Sequence, residues 1–453
     1  MLVLHGGSVI TDKGLIRKDL YINTKTGKIA EGPDRSNQIV DVTGRILFPG
    51  FIDSHTHLDM PVAGTRTADD FRSGTAAALV GGTTCILDFA TQDRGHTLAE
   101  ALDTWHRRAD KKCACDYGFH MAVTDWNDQT RQELLTMPDK GVTSFKAYMA
   151  YPALRLTDEE LFSLLKTTGQ MGAWVGVHCE LGDEVEANTK ALLEAGKTAP
   201  YWHACSRPNA VEGDAVRRLM ELAKEADAPV WIVHLSTKEG LRAIRSARRE
   251  GCRVLAETCP QYLTLDESLY AIPGFESARY VCSPPLRSKA DQGMLWDAVQ
   301  KREINLISTD HCCFRYEDQK TLGREDFSKI PNGLPAIELR PALIWNAVAA
   351  GKLSVGDMAG LLSEMPARAF GMWPQKGSLE VGADADVVVW DPTWRGTVKA
   401  ANLLTASDYS PWEGTPLSGR AEMVYLRGRL SAEKGAVLRK TGGKFIKRTL
   451  SQG

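Results

Sequence analysis

Four histidines, one lysine and one aspartate lie at the ends of apolar segments, and these residue types together could bind divalent metal ions. His55 and His57 are one residue apart, so an extended backbone would point both rings to the same side. The other candidates follow later apolar segments, at Lys146, His178, His234 and Asp310. Imidazole and carboxylate groups are ligands that zinc and related metals prefer. If the fold brings these residues together, we expect a metal centre.

Each candidate histidine also has an ordinary structural interpretation, because a single histidine at a strand end is more often a hydrogen-bonded polar residue than a ligand. We assign that interpretation to five other histidines, namely His5, His96, His106, His120 and His203. Six suitable residues at the ends of five apolar segments are harder to attribute to chance. The pattern therefore favours metal binding.

Lys146 does not fit a simple metal site, since a protonated amine is repelled by metal ions and has no lone pair to donate. A buried lysine, however, gives up its proton readily. The neutral amine can add carbon dioxide to form a carbamate, whose two oxygens could bridge two metals roughly 3.5–4 Å apart. The flanking segments 144–145 and 147–149 are mostly apolar, which argues against the alternative of a side chain that extends to solvent.

Eight apolar segments in the middle of the chain alternate with helical patterns, which is typical of repeated βα units. Their near-continuous Val, Ile, Leu and Phe content suits strands that are buried on both faces of a parallel sheet. The predicted strands are Ile46–Asp53, Thr83–Phe89, Asp116–Val123, Ser144–Ala150, Ala173–Cys179, Val230–Leu235, Cys252–Thr258 and Ile304–Asp310. Helical spacing and an initial Asp predict helices over Asp158–Gly169 and Asp214–Glu225.

This order of elements predicts an α/β fold, a (β/α)8 barrel of the TIM type, whose C-terminal strand ends share one mouth. The intervals between the candidate ligands are close to whole numbers of βα units at roughly 31 residues each. The longer interval from His178 to His234 predicts an insertion within Val185–Pro208. A doubly wound open sheet is the alternative, but no G-x-G-x-x-G motif follows the first strand.

Both ends of the chain carry short strand signals separated by Gly-containing turns. These signals are Leu2–Ile10, Asp19–Asn23 and Gln38–Val42 near the start, and Asp386–Asp391 and Met423–Leu426 near the end. We therefore predict a small β-sandwich-like domain built from residues 1–48 and 374–453, the latter including a C-terminal tail. The barrel would occupy residues 49–373.

The composition excludes several classes of protein. The 453 residues include 55 Lys+Arg and 57 Asp+Glu, with 43% hydrophobic and 25% charged residues, which is ordinary for a globular protein and not for a disordered one. The net charge of -2 argues against nucleic-acid binding. No apolar run approaches the ~18 residues that cross a bilayer, and no secretory leader is evident. The ten cysteines lack the paired spacing of a structural zinc site. We expect reduced thiols and a soluble, cytoplasmic protein without membrane or nucleic-acid partners.

The segment Phe48–His57, FPGFIDSHTH, resembles the opening motif of the amidohydrolase superfamily. Lys376–Asp386, KGSLEVGADAD, resembles the segment in which that superfamily returns to its small β domain. Further blocks are similar to the dihydropyrimidinase/hydantoinase group, the cyclic amidohydrolases, over nearly the whole chain. These blocks are Thr67–Thr75, Gly81–Thr84, Glu257–Tyr262, Ser283–Arg287, Pro331–Gly333 and Met365–Arg368.

The resemblance implies a binuclear metal centre, usually zinc, with Mn²⁺ or Co²⁺ as alternatives. The implied ligands are His55, His57 and Asp310 for the more buried ion, His178 and His234 for the second, and N6-carboxylated Lys146 with a hydroxide as bridges. Tyr151 matches an oxyanion-stabilising tyrosine of the family. Ser283 and Asn332 match positions whose backbone groups hold the amide atoms of the substrate ring.

The implied reaction is hydrolysis of a cyclic amide bond in a 5,6-dihydropyrimidine or a 5-substituted hydantoin. A hydroxide attacks the amide carbon, and Asp310 carries the hydroxide proton to the leaving nitrogen. The product is an N-carbamoyl amino acid, and the partner is a small cyclic ureide or imide.

Related enzymes with other activities usually carry different residues after the His55–His57 pair. Dihydroorotases usually place Arg where this chain has Asp59, which disfavours that activity. Allantoinases usually continue with Asn-Glu-Pro-Gly, whereas this chain continues with Asp59-Met-Pro-Val62. Another cyclic amidohydrolase such as allantoinase stays an alternative, as does a catalytically silent scaffold protein. Such scaffolds typically lack several metal ligands that this chain keeps.

Three further expectations concern the pocket, the tail and the assembly. Val62–Ala63 and Pro152–Arg155 stand where hydantoinases commonly carry aromatic residues, so we hypothesise an altered pocket with a polar group of the substrate near Arg155. The alternative is that Arg155 faces solvent. The basic tail Lys440–Arg448 predicts a segment that is solvated or clasps a neighbouring subunit. The resemblance implies a homotetramer, with a homodimer as the alternative.

Overall fold

Eight parallel strands form a barrel in the computed structural model, which describes residues 1–11, 13–33, 38–62 and 64–450. Barrel strands 1 to 8 are Phe51–Thr56, Thr83–Thr91, Asp116–Ala122, Ser144–Tyr148, Trp174–His178, Val230–Ile232, Val254–Thr258 and Leu306–Ile307. The ring closes beyond barrel strand 8, where a parallel bridge joins Thr56 to His311 and the His57 N–H donates to the His311 carbonyl over 2.8 Å. The predicted (β/α)8 barrel is confirmed, and the open-sheet alternative is wrong.

Helices connect the strands around the outside of the barrel. The helix after barrel strand 4 begins where a capping box predicts it, because Thr157 and Glu160 satisfy each other's backbone N–H groups over 2.8 and 3.2 Å. The α-helices are Phe71–Val80, Leu98–Ala109, Asp128–Thr136, Asp158–Met171, Gly182–Glu194, Tyr201–Cys205, Asn209–Glu225, Lys238–Arg249, Pro260–Thr264, Lys289–Gln300, Arg340–Ala349, Val355–Ala359 and Met365–Ala369. Shorter helical turns are Met137–Lys140, Glu267–Ala271, Glu276–Tyr280, Lys320–Gly323, Phe327–Lys329, Gly360–Glu364 and Ala400–Asn402.

A small β module combines both ends of the chain. One sheet has the order Lys28–Ala30, Leu20–Asn23, Leu2–His5 and Gln38–Asp41. The other has the order Ala436–Val437, Arg429–Glu433, Arg420–Leu426, Val387–Asp391, Ile46–Pro49, Ser8–Thr11 and Gly14–Arg17. Apolar side chains of both sheets, among them Leu4, Leu47 and Val387, form one buried cluster. The predicted β module from both chain ends is confirmed as part of the fold, while the boundaries at 48/49 and 373/374 stay a prediction.

Several predicted strands are longer than the observed ones, for example Ile304–Asp310 against Leu306–Ile307, and two of them divide into two strands each. Ile46–Asp53 is not one strand, because Ile46–Pro49 pairs in the small module and Phe51–Thr56 begins the barrel. Gly50 separates them, and a Cβ there would lie 2.0 Å from Thr84 Oγ1, so only glycine allows the chain to pass this close to barrel strand 2. Leu2–Ile10 likewise divides into two strands at Gly6, where φ is 77°.

The backbone of the C-terminal tail Lys440–Arg448 pairs with the protein's own barrel, while the side chains of Lys440, Lys444 and Lys447 are exposed, as a solvated segment requires. The Tyr117 N–H donates to the Lys444 carbonyl over 3.0 Å, and the Ile446 N–H donates to the Tyr117 carbonyl over 2.8 Å. Arg448 is buried in the barrel, where its Nη1 donates to Ser144 Oγ over 2.7 Å. The tail therefore packs against the protein's own barrel strands.

Short strands outside these sheets form two hairpins, Pro61–Val62 with Thr65–Arg66 and Gly396–Thr397 with Pro416–Leu417. No helix within the described ranges combines the length and the apolar composition that crossing a bilayer requires.

Candidate metal centre and its cavity

Three of the predicted ligands converge at the mouth of the barrel. His55 and His57 leave the end of barrel strand 1, and their Nε2 atoms lie 3.2 Å apart. Asp310 lies beyond barrel strand 8, and its Oδ1 is 3.1 Å from His55 Nε2 and 3.2 Å from His57 Nε2. Because strands 1 and 8 are neighbours in the closed ring, three donor atoms point at one position.

The other two predicted histidines form a second pair beside the first group. His178 ends barrel strand 5 and His234 lies just beyond barrel strand 6, with Nδ1 of His178 3.0 Å from Nε2 of His234. The ring centroids of His234 and His55 are 5.6 Å apart, which places the pair next to the first group. Two adjacent sets of donors result.

Lys146 lies on barrel strand 4 with only 1% of its surface exposed. Its Nζ is 5.3 Å from the ring centroids of Phe89 and Tyr148, so apolar side chains surround the amine. Burial lowers the pKa of Lys146 to about 8. The amine is therefore far more often neutral at physiological pH than an exposed lysine, which is the form that adds carbon dioxide.

The protonation states of three of the four candidate histidines fit a metal site. Burial lowers the pKa of His57 to about 4 and also lowers the pKa values of His178 and His234, so these imidazoles are neutral and can donate a lone pair. Burial acts in the same direction on His55, but the carboxylates of Glu257 and Asp310 outweigh it and raise its pKa to about 9. The nitrogen and oxygen donors match the preference of zinc.

Buried carboxylates orient two of the histidines, and sequence reasoning gave them no role. A 2.7 Å hydrogen bond joins His55 Nδ1 to Glu257 Oε1, and another of 2.7 Å joins His178 Nε2 to Glu180 Oε2. Arg207 holds Glu180 in turn, with Nη1 donating to Oε2 over 2.5 Å. Each bond leaves the other ring nitrogen free to face the donor cluster. The sequence feature that could have identified Glu257 and Glu180 is a charged residue within or directly after an apolar strand.

Three of the predicted site residues adopt the left-handed backbone region. The φ angles are 69° at Tyr151, 39° at His234 and 51° at Asp310. Such conformations cost about 1–3 kcal/mol each for residues with a side chain and concentrate at functional sites. The fold therefore maintains unfavourable backbone angles at two candidate metal ligands and at the candidate oxyanion-stabilising tyrosine.

One cavity of about 860 Å³ contains all nine predicted site residues in its wall. Besides the six candidate ligands, these are Tyr151, Ser283 and Asn332. Burial raises the pKa of Tyr151 to about 12, so its hydroxyl remains a hydrogen-bond donor at neutral pH. Asn332 Oδ1 is buried and has no hydrogen-bond partner among the described residues. The cavity therefore offers an unused acceptor beside the candidate metal centre.

The structure favours the solvent-facing alternative for Arg155. Its Nη1 lies 2.7 Å from Asp183 Oδ1 and 3.5 Å from Glu186 Oε1, and Arg155 is absent from the residues that line the cavity. The cavity wall near this loop consists of Ala153 and Leu154. Ala63, the other residue of the altered-pocket hypothesis, lies outside the described residues.

The five histidines given a structural interpretation lie apart from the donor cluster. His120, for example, hydrogen-bonds Ser144 Oγ over 2.6 Å and the Ser54 carbonyl over 3.0 Å. His203 lies beside a predicted substrate-binding residue, with its Nε2 3.4 Å from Ser283 Oγ, and His96 lines the cavity.

Comparisons with known proteins agree with this geometry. The family model described as "Amidohydrolase family" matches residues 46–430. A D-hydantoinase of Ralstonia pickettii is 41% identical, covering 99% of this chain and 98% of that protein, and a dihydropyrimidinase of Dictyostelium discoideum is 36% identical, covering 99% and 90%. The crystal structure of a dihydropyrimidinase from Brevibacillus agri NCHU1002 matches with a TM-score of 0.97 at 40% identity, covering 99% of this chain and 98% of that chain. This chain belongs to the amidohydrolase family.

Proposed function

We propose that this protein hydrolyses the cyclic amide bond of 5,6-dihydropyrimidines, 5-substituted hydantoins or both, giving N-carbamoyl amino acids. The observation that carries the proposal is the convergence of six candidate metal ligands on one cavity. Similarity over the whole chain to proteins named D-hydantoinase and dihydropyrimidinase supports this choice of reaction. A family member without catalytic function would have no need to maintain this donor set.

The donor set suits two divalent ions, which we propose to be zinc. His55, His57 and Asp310 would hold one ion, and His178 and His234 the other. Lys146, as its carbamate, would link the two. When bound, such a pair makes hydroxide available at neutral pH and polarises the scissile carbonyl.

The chain's own residues would then direct the reaction. Backbone groups at Ser283 and Asn332 hold the amide atoms of the ring, so that the scissile carbonyl faces the candidate metal centre. The Tyr151 hydroxyl donates a hydrogen bond to the carbonyl oxygen as it gains negative charge. Asp310 takes up the proton of the attacking hydroxide and delivers it to the leaving nitrogen as the C–N bond breaks.

The mouth of the cavity indicates which substituents fit. Met60, Val62, Ala153 and Leu154 line it, so we propose that alkyl groups on the substrate ring contact an apolar surface there. We further propose that the protein acts in the cytoplasm and assembles as a homotetramer.

The activity is tested with the purified protein, zinc and bicarbonate on four substrates: dihydrouracil, a 5-alkyl hydantoin, allantoin and dihydroorotate. NMR or mass spectrometry of the products should show N-carbamoyl-β-alanine from dihydrouracil and an N-carbamoyl-α-amino acid from the hydantoin. Preferential opening of allantoin would replace the proposed substrate class by the allantoinase alternative. A metal-free protein that opens none of the four rings would instead support the scaffold alternative.

Tyr151→Phe is expected to lower kcat by about 10²- to 10³-fold with a smaller change in KM, because the hydroxyl donates to charge that develops in the transition state. The pKa of about 12 means that Tyr151 stays protonated across the working range. The variant should therefore keep the wild-type shape of the pH–rate profile between about pH 6 and 10, at a lower level. An unchanged kcat would remove Tyr151 from the mechanism.

A further inference from the structure

Lys320 is a buried lysine outside the candidate metal centre. It lies in the turn Lys320–Gly323 with 0% of its surface exposed. Its Nζ donates three hydrogen bonds to backbone carbonyls: 2.8 Å to Val281, 2.6 Å to Pro331 and 3.0 Å to Gly333. An ammonium has three N–H groups, so each of its donors is used.

These three carbonyls belong to two segments that contribute to the cavity. Val281 is two residues before Ser283, and Pro331 and Gly333 flank Asn332. The segments also meet directly, since the Gly333 N–H donates to the Val281 carbonyl over 3.1 Å. A Cβ at Gly333 would lie 2.1 Å from the Cys312 carbonyl oxygen, so the backbone here is closely confined. Lys320 therefore bridges the two segments that carry Ser283 and Asn332.

The charge on Lys320 has no counter-ion among the described residues. Its remaining neighbours are apolar or weakly polar, such as Phe314, whose ring centroid is 5.6 Å from Nζ. Burial lowers the pKa of Lys320 to about 7. Burying an ammonium without a carboxylate opposes folding, whereas its three hydrogen bonds satisfy backbone carbonyls that an apolar side chain would leave without this donor. Lys320 is therefore suited to hold these carbonyls, and the segments that carry them, together.

The preceding residue makes a comparable connection to a different part of the cavity. Gln319 Nε2 donates to the Arg66 carbonyl over 2.6 Å and to Thr65 Oγ1 over 3.0 Å. Thr65 and Arg66 form one strand of the hairpin whose other strand, Pro61–Val62, lines the cavity mouth. Gln319 thus contacts the hairpin at one part of the cavity wall, whereas Lys320 contacts the segments that carry Ser283 and Asn332.

We propose that Lys320 is a positioning residue that holds the backbones at Ser283 and Asn332 at the separation that the amide atoms of the substrate ring require. The inference rests on the proposed function, since it assumes that these two segments grip a cyclic amide. Lys320 contacts no substrate itself. It acts by adding hydrogen bonds between two segments that the Gly333–Val281 hydrogen bond also links.

The test compares Lys320→Met, Lys320→Gln and wild type for hydrolysis of dihydrouracil, with metal content and the unfolding midpoint measured alongside. Displacement of a binding group by about 1 Å can cost about 10²-fold in rate, so we expect kcat/KM of Lys320→Met to fall by about that factor, mainly through KM. Metal content should not change. Lys320→Gln keeps two N–H donors, so its kcat/KM should lie between those of Lys320→Met and wild type. If Lys320→Met does not fold, the comparison of Lys320→Gln with wild type tests the inference.

Gln319→Ala is the matched control, because it removes side-chain hydrogen bonds from the same turn. It should leave dihydrouracil hydrolysis close to wild type and change only the relative rates of 5-substituted hydantoins. Wild-type kcat/KM in folded Lys320 variants would overturn the inference. If the wild-type protein opens no ring, it is the proposed function that fails.

Discussion

Lys146→Ala is expected to lose bound metal and hydrolytic activity together, with kcat/KM falling at least about a thousandfold. The reason is that the proposed carbamate would be the protein's own link between the two sets of donors, and metal ions supply several kcal/mol of transition-state stabilisation. The variant leaves a cavity beside Phe89 and Tyr148, which a short carboxylate such as propionate could enter. Added propionate should therefore restore part of both the metal content and the rate.

Lys146→Arg serves as the control for charge, because it stays cationic and cannot form a carbamate. It should be as inactive as Lys146→Ala and should not respond to propionate. In the wild-type protein, ¹³C-bicarbonate should give a carbamate signal by NMR that is absent from both variants. Full activity in either variant, or wild-type activity without a carbamate signal, would contradict the proposed bridge.

Asp310→Asn is expected to lower kcat by about 10²- to 10⁴-fold, the range associated with loss of a general base. Burial raises the pKa of Asp310, but charge interactions and hydrogen bonds with His55 and His57 outweigh it and hold the pKa well below its usual range, so the side chain is an ionised carboxylate at neutral pH. Asparagine keeps the shape of the side chain but cannot accept and release that proton. Measuring metal content in the same samples separates lost proton transfer from lost metal.

Asp93→Asn is the matched control, since Asp93 is an exposed carboxylate at the rim of the same cavity. It should leave kcat unchanged. An Asp310→Asn variant that binds metal normally and turns over at the wild-type rate would show that another group moves the proton.

The barrel and its candidate ligands could be predicted from the sequence because they depend on local patterns. Apolar segments buried on both faces identify parallel strands, and polar residues at their ends identify the mouth. The prediction of the first strand was wrong because its apolar pattern continues through Gly50, and only the close approach to Thr84 shows where the chain changes sheets.

The residues that support the site could not be predicted in the same way, since their partners are distant in the chain. Glu257 acts on His55 across 202 positions, and its carboxylate looks like any charge in a strand until the barrel closes. Lys320 is similar, because its carbonyl partners lie 39, 11 and 13 positions away and nothing in the sequence marks them as partners of its amine. The sequence position of Arg155 allows both the cavity and solvent, and its contact with Asp183 agrees with the solvent-facing alternative.

The central claim is that the donor cluster makes this protein a metal-dependent cyclic amidase. Its most direct test is the initial rate of dihydrouracil hydrolysis by metal-free protein, measured as zinc is added in the presence of bicarbonate. We predict that the rate rises from near zero and reaches a plateau at two zinc ions per chain. A rate that stays at zero at every zinc level, or that is already maximal before zinc is added, would contradict the claim.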